Sequence, residues 1–404
     1  MRWTTHKFSA HPRAPRTFEL FAGAGGMALG LAQAGCAHCG LLEWDADACA
    51  TSRSNWAPVG VFEGDARDFS YRRFQDEHGT IDCVAGGPPC QPFSLGGVGK
   101  GVSDTRDMFG EAARAVAELR PRYFIFENVK GLLREKFASY FGYILRLLQF
   151  PFIRKQESEQ WFDHSERLRK ALTLREQCGD ATERYRVKRR LFNAADFGVP
   201  QNRFRVFIIG VREDLDVEPE FPETTHSEEL LLWEQWVTDE YWERHCVPKV
   251  KRPRPSSRIT KRVSELRRQY GLFLPQGRRW VTVRDAISDM PRPGSNFPTF
   301  NHEVRPGAKP YPGHEGSPYD EPSKALKAGV QGVPGGENMI AFPDGSYRYY
   351  TPREAARIQS FPDSYKFCGS VSETMRQIGN AAPVAGCRII GKHLLKVPQL
   401  QEQC

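Results

Sequence analysis

Cys90 lies in the run Gly86-Gly87-Pro88-Pro89-Cys90-Gln91-Pro92-Phe93-Ser94, and no other side chain in these 404 residues is better presented for covalent chemistry. Two glycines and three prolines fix an irregular backbone after an apolar run, so the thiol is shown in one conformation. A thiol is the most nucleophilic common side chain near neutral pH. A lone cysteine is more often buried and inert, and only the surrounding motif argues otherwise. A second constellation is Phe18-Glu19-Leu20-Phe21-Ala22-Gly23-Ala24-Gly25-Gly26, where glycines between a strand and a helix let a ligand approach the backbone. Glu43, twenty residues after Gly23, is spaced to hold ribose hydroxyls. Tight strand-to-helix packing explains those glycines equally well, and they do not follow the GxGxxG spacing of dinucleotide enzymes. Third, Phe126-Glu127-Asn128-Val129 puts a carboxylate after an apolar run. Fourth, Gln201-Asn202-Arg203-Phe204-Arg205 carries two guanidiniums two residues apart, which would share one face of a strand, although alternating arginines also protect sheet edges.

The elements that must position these groups are legible up to about residue 130. Strand-like runs at 17–21, 39–42, 81–85 and 123–126 alternate with helical stretches; one helix, 27–34, stops at Gly35. Such alternation predicts a parallel sheet with helices on both faces, with ligands at the carboxyl ends of its strands, where the first three motifs fall. Residues 155–190 have mixed charge and few apolar positions, which predicts an exposed helical insertion without chemistry. A β-rich run at 204–211 closes the first region. Beyond it, 212–346 loses the alternation: Trp233, Trp236 and Trp242 lead into a basic segment and then a Pro/Gly-rich stretch, as in a second domain with much irregular structure. Thr351-Pro352-Arg353-Glu354 predicts a capped helix to about Ser360, and a further helix follows Asn380.

Composition sets outer bounds. No apolar run approaches the ~20 residues of a membrane span, and residues 1–16 lack the apolar core of an export signal, so a cytoplasmic, membrane-free protein is expected. Ten cysteines in that setting read as reduced thiols. Cys36 and Cys39 have CxxC spacing, but nothing answers them as a second ligand pair, and no metal site is expected. Residues 247–284 hold twelve Lys or Arg against one acidic residue, Glu265; with the chain at +8 overall, the remainder is about −3. The basic character is concentrated where backbone phosphates could be neutralised, though a solvated loop would look the same.

Together and in this order, the motifs resemble those of the cytosine-5 DNA methyltransferase family, of bacterial restriction-modification type. The resemblance spans nearly the whole chain and takes in Glu43-Trp44, Gly64-Asp65 and Gln377-Ile378-Gly379-Asn380 as well. It implies an α/β fold: a doubly wound, Rossmann-like domain binding S-adenosylmethionine, with a smaller irregular target-recognition domain inserted. The expected partition is 1–211 for the first catalytic part, 212–346 for target recognition and 347–404 for the completing part. It implies that Cys90 adds to carbon 6 of a flipped-out cytosine, that Glu127 acts at N3, and that Arg205, with Arg203, holds O2. It further implies a cofactor site formed by Phe21, Gly23, Gly25, Gly26, Glu43, Trp44, Asp65, Pro89, Met108 and Asn380. The implied partner is double-stranded DNA, met by a monomer, with a cognate restriction endonuclease acting on the same site without a stable complex. Two departures stand out: Glu19 occupies a position usually held by Asp, and the 155–190 insertion is longer than in compact members. A tRNA cytosine-5 methyltransferase, a catalytically silent DNA-binding protein and a nicotinamide oxidoreductase are the competing readings. The basic inserted region favours DNA, the presence of Cys90 and Glu127 opposes a silent protein, and the glycine spacing opposes an oxidoreductase.

Overall fold

The computed structural model describes residues 14–89, 108–174, 180–271, 273–294, 301–328 and 338–397. Cys90 lies outside them. The chain forms two compact units: a sheet unit, made of His6–Phe192, Phe204–Pro222 and Cys387–Cys404, and an inserted unit, made chiefly of Asn193–Arg203 and Glu223–Gly386.

In the sheet unit the strands are β1 (Arg16–Leu20), β2 (Ala37–Glu43), β3 (Gly60–Glu63), β4 (Cys83–Gly86), β5 (Tyr123–Val129) and β6 (Tyr185–Asn193); after β7 (Gln201–Asn202), which lies in the inserted unit, comes β8 (Phe204–Arg212). Among the described residues they form a seven-stranded sheet of order β3-β2-β1-β4-β5-β8-β6. β1 to β5 are parallel, and β8 runs antiparallel to β5, pairing Tyr123 with Val211 and Val129 with Arg205. Parallel strands are covered on both faces, which is why β1 and β4 are buried almost throughout, the polar Thr17 and Glu19 included. The connecting helices are α1 (Gly26–Ala34), α2 (Ala46–Trp56), α3 (Tyr71–His78), α4 (Phe109–Leu119), α5 (Ala138–Gln149) and α6 (Trp161–Thr173). Phe18, Phe74, Val116, Phe124, Ile144 and Ile208 belong to one continuous core. Gly86 is required by the sheet itself: a Cβ there would stand 2.3 Å from the carbonyl oxygen of Leu20 on the neighbouring strand.

In the inserted unit, α7 (Glu228–Trp236), α8 (Glu240–Arg244), α9 (Ser257–Tyr270) and α10 (Val283–Ile287) gather around the expected tryptophans. Tyr241, Trp242 and Leu231 form one small core with Trp236 and Trp280; Trp233, Val263 and Leu266 form another. Then follow α11 (Pro352–Ile358), α12 (Val371–Asn380) and α13 (Val384–Leu394). α11 opens with the expected capping box between Thr351 and Glu354. From Cys387 onward α13 belongs to the sheet unit, where Gly391 meets Ala34 and Leu31 of α1 so closely that a Cβ would stand 2.8 Å from Ala34 Cβ.

Three expectations are corrected. Residues 155–190 are not wholly a helical insertion, because Tyr185–Asn193 is an edge strand of the sheet. Its period-2 apolar pattern, Tyr185, Val187 and Leu191, is masked by Lys188, Arg189 and Arg190, the charges that keep an edge from pairing with another chain. Arg203 and Arg205 do not share a strand face, since β8 begins at Phe204 and Arg203 falls between β7 and β8. Finally, residues 347–386 pack with the inserted unit, not apart from it, held by the hydrogen bonds of Gln201 and Arg203 described below.

Candidate active site

The strand order reverses between β1 and β4, and a cleft at the carboxyl ends beside such a switch point is where open α/β sheets bind ligands. Beyond β1 the backbone turns through Phe21, Gly23 and Gly25, all with positive φ (53°, 53° and 75°), and delivers Gly26 as the first residue of α1. The first turn of a helix can offer N–H groups to a polar or anionic ligand; here that of Ala28 is already bonded to Glu19. A Cβ on Gly23 would meet nothing within 4 Å, so the loop borders open space.

Glu43, the last residue of β2, shapes that loop. Its Oε2 accepts from Gly23 N at 2.7 Å, and its Oε1 accepts from Trp44 N and Asp45 N at 3.0 Å each. Burial pushes its pKa up, against the pull of those three donors. The twenty-residue spacing that suggested a ribose acceptor is thus also the spacing of a direct loop contact. Trp44 leaves its ring 74% exposed, an arrangement that favours an aromatic partner. Asp65, after β3, accepts from Arg67 N at 2.9 Å and from Arg67 Nε at 3.0 Å, and this pairing holds its pKa below the usual carboxylate range. Glu19 lies buried under the start of α1: it accepts from the backbone N–H of Ala28, has its carboxylate 3.4 Å from His38 Nε2, and burial raises its pKa.

At the ends of β4 and β5 the structure brings a carboxylate beside a guanidinium. Glu127 lies within β5, buried, with its Oε1 2.7 Å from Arg205 Nε. Burial lowers the pKa of Arg205, and the Glu127 charge opposes that shift. A Cβ on Gly87 would lie 3.6 Å from Glu127 Oε2, which places the loop after β4 beside the carboxylate. Asn128 Nδ2 donates to Pro88 O at 2.9 Å, fastening that loop to β5. Pro89 O accepts from Met108 N at 3.2 Å, so the residues flanking 90–107 lie side by side. The sequence motif around Glu127 includes Asn128 but assigned it no role, which the hydrogen bond to Pro88 O supplies.

Arg203 is held elsewhere. It is 1% exposed and donates through Nη1 to Leu326 O at 3.0 Å and through Nη2 to Gly379 O at 2.6 Å and Ala381 O at 3.2 Å. Gln201 completes the knot, accepting from Leu326 N at 3.0 Å and donating to Gln359 Oε1 at 3.1 Å. The motifs around Gln201 and Gly379 are therefore one hydrogen-bonded cluster of the inserted unit. Asn380 ends α12 in that unit and is exposed. Among the described residues, no helix is long and apolar enough to cross a membrane.

A doubly wound sheet with a glycine loop after β1, an acid ending β2 and a carboxylate–guanidinium pair at β5 and β8 defines a class of nucleotide-cofactor enzyme. The family model of the C-5 cytosine-specific DNA methylases matches residues 15–150 and 162–396, and the chain belongs to that family. It is 30% identical over 387 residues to the Type II methyltransferase M.PspPI of Psychrobacter sp. (strain TA137), covering 94% of this chain and 78% of that protein. It is 32% identical over 383 residues to the Type II methyltransferase M.Eco47II of Escherichia coli, covering 93% and 78%. Among solved structures, the S. pombe Dnmt2 methyltransferase superposes with a TM-score of 0.55 at 16% identity over 95% of this chain and 99% of that one, a likeness of fold. The activity is methyl transfer to carbon 5 of cytosine in DNA.

Proposed function

We propose that the protein methylates cytosine in a specific duplex sequence with S-adenosylmethionine as donor, through a covalent adduct of Cys90, and protects DNA in a restriction-modification system, as the names of its relatives suggest. The observation that supports this best is the Glu127–Arg205 pair standing beside the loop that leads into Cys90. When bound, S-adenosylmethionine supplies an electrophilic methyl group. The residues present suit it: the open, positive-φ loop of Phe21, Gly23, Gly25 and Gly26 for the methionine end, the Glu43 carboxylate for the ribose, the exposed Trp44 ring and Asp65 for the adenine. Pro89 and Met108 complete the assignment within the sheet unit.

Carbon 5 of cytosine is a weak nucleophile until the ring is activated. The Cys90 thiolate forms a bond to carbon 6, and the electron pair of the 5,6 double bond becomes available at carbon 5 as N3 is protonated or hydrogen-bonded by Glu127. After methylation, carbon 5 loses its proton to a base, and the Cys90–carbon 6 bond breaks to restore the double bond. Arg205 orients the ring through O2 and keeps Glu127 in place, whereas Arg203 acts by fastening the inserted unit. This chemistry is out of reach in a stacked helix, so the base is flipped out at a cost of roughly a few kcal/mol. The inserted unit reads the target, and the enzyme acts as a monomer.

The test is trapping. Duplex DNA carrying 5-fluorocytosine at the target, with S-adenosylmethionine, should give a denaturation-resistant adduct with the wild-type protein, because fluorine cannot leave as a proton does. Cys90→Ser should abolish adduct and turnover together. Turnover near the wild-type rate in Cys90→Ser overturns the nucleophile, and methylation of tRNA in preference to duplex DNA overturns the substrate.

A further inference from the structure

Among the described residues of the inserted unit, the three most exposed large apolar side chains all fall inside the basic segment: Val250, Phe273 and Leu274, at 91%, 80% and 61% exposure. Phe273 and Leu274 form the tip of the connection between α9 and the short strand Arg278–Arg279. Both ends of that connection are pinned. Gly271 closes α9 at φ 59° with its N–H on Arg267 O, and Phe273 N donates to Tyr270 O at 2.8 Å. On the far side Pro275 is buried, Gly277 sits at φ 94° against Thr225 O, and Arg278 N donates to Thr225 O at 2.9 Å. A tip fixed at both ends holds its apolar pair in water by construction.

Its surroundings are cationic. Arg267, Arg268 and Arg278 flank the tip and are exposed, and among the described residues none is ion-paired with a carboxylate. An apolar tip flanked along the chain by exposed arginines without carboxylate partners, of which Arg267 also donates to Trp236 O at 3.3 Å, fits a partner that is polyanionic outside and apolar inside. Duplex DNA is such a partner: phosphates line its edge, and apolar wedges such as Phe and Leu enter between base steps, unstacking and kinking the helix.

We propose that Phe273 and Leu274 are an apolar wedge inserted at one base step of the duplex substrate, with Arg267, Arg268 and Arg278 on the adjoining phosphates. The proposal rests on duplex DNA being the substrate. It assigns to this tip a part of site selection that no hydrogen-bond donor supplies, because the cost of unstacking depends on which step is opened.

The test uses the full-length protein and its target sequence, located by bisulfite sequencing of DNA from expressing cells. Phe273→Ala/Leu274→Ala, both solvent-exposed changes, should leave the circular dichroism and melting temperature unchanged. Affinity for the cognate duplex should fall roughly 10- to 100-fold, the range set by removing one or two base-stacking partners, with the salt slope intact. 2-Aminopurine walked along the site should brighten at one step with wild-type protein and lose that signal with the double variant. Arg268→Gln/Arg278→Gln should do the reverse, flattening the log–log salt slope by about 0.9 for each phosphate no longer neutralised. A double apolar variant with wild-type affinity and an unchanged fluorescence profile overturns the wedge. So does one that binds DNA normally but loses self-association, or loses binding to phosphatidylserine vesicles. Failure of the wild-type protein to bind or methylate any duplex strikes the substrate reading itself, and so is told apart from a failure of the wedge.

Discussion

Arg203 and Arg205 stand two residues apart and belong to different units, and the contrast between them runs through the molecule. Arg203 directs its donors to the carbonyls of Leu326, Gly379 and Ala381, whereas Arg205 faces the carboxylate of Glu127. A guanidinium satisfied by backbone carbonyls is a fastener, because its donors are committed before any substrate arrives. One paired with a carboxylate by a single nitrogen retains donors: among the described residues, Arg205 Nη1 bonds only its neighbour's carbonyl, Phe204 O, and Nη2 is free. The inserted unit repeats the first pattern at Arg353, whose nitrogens donate to Pro362 O and Tyr365 O. In the sheet unit Glu43 also follows the first pattern, since both its oxygens are held by backbone N–H groups.

The largest effect expected from breaking this contrast is on stability. Arg203→Met takes the donor from the buried carbonyls of Leu326 and Gly379, while Ala381 O keeps Gln359 Nε2; at about 1–3 kcal/mol for each buried group left unpaired, a loss of roughly 2 kcal/mol or more is expected. Arg205→Lys keeps the charge beside Glu127 but removes the planar fork, and should lower turnover roughly 10- to 100-fold while the melting temperature moves little. Thermal melts beside steady-state kinetics check both. If the two variants lose stability alike and turnover alike, the division between fastener and substrate-facing arginine is wrong.

The next effect concerns the cofactor loop. Glu43→Ala should weaken S-adenosylmethionine binding by about 1–3 kcal/mol, the worth of a hydrogen bond to a charged group. It should also loosen Gly23, Trp44 and Asp45, which the carboxylate holds. Glu43→Gln keeps one oxygen acceptor but sets an NH2 against the N–H groups that the other oxygen held, so it should lower the melting temperature less than Glu43→Ala does while losing affinity. Calorimetry showing full affinity in a folded Glu43→Ala protein refutes the ribose assignment.

The same contrast explains what could be read in advance. The sheet unit was legible because a parallel sheet ties function to position: apolar runs are strands, and the motifs at their carboxyl ends must share one edge. Glu43, Glu127 and the 86–89 turn follow from that rule. β6 escaped it because an edge strand carries its own charges, here Lys188 and Arg189, which blur the period. The knot of Gln201, Arg203 and Gly379 was not legible, since hydrogen bonds between side chains and carbonyls 123 to 178 residues away leave no local pattern. Gly379 carries one trace of it: a Cβ there would lie 2.6 Å from the backbone at Lys327 and Ala328.

A smaller effect depends on pH and again separates the units. His226, in the inserted unit, has its pKa pushed down to about 4, first by burial and then by Arg278 and Arg279. Its ring lies against Gly198, where a Cβ would stand 2.6 Å from it. The unfolded chain titrates near 6.5 and so binds the proton more readily than the fold does. The stability that the neutral ring contributes is therefore full above about pH 6.5 and is lost as pH falls from there toward 4. Urea titrations across that window should show declining stability, and His226→Gln should flatten the decline. A slope identical in the two proteins would remove His226 from the account.

The smallest effect per residue lies in the basic segment, where committed cations stand beside free ones. Arg252 lies 2.8 Å from Asp239 and donates to Val247 O, so it is already committed within the unit. Arg262, Arg279 and Arg284 are likewise paired with carboxylates. Lys249, Lys251, Arg254 and Arg258 are exposed, and among the described residues none of them is within ion-pair distance of a carboxylate. If these four sit on phosphates, replacing all of them with Gln should flatten the log–log salt dependence of binding by up to about 3.6, at about 0.9 per phosphate. Affinity for cognate and random duplexes should fall together, because a phosphate contact carries no sequence information. Arg252→Gln should behave differently, lowering the melting temperature with the slope unchanged. A base-reading side chain would give a third pattern, relaxed preference at one position of the site. Binding of both duplexes across a salt series distinguishes these patterns, and an unchanged slope in the quadruple variant would make the segment a solvated loop.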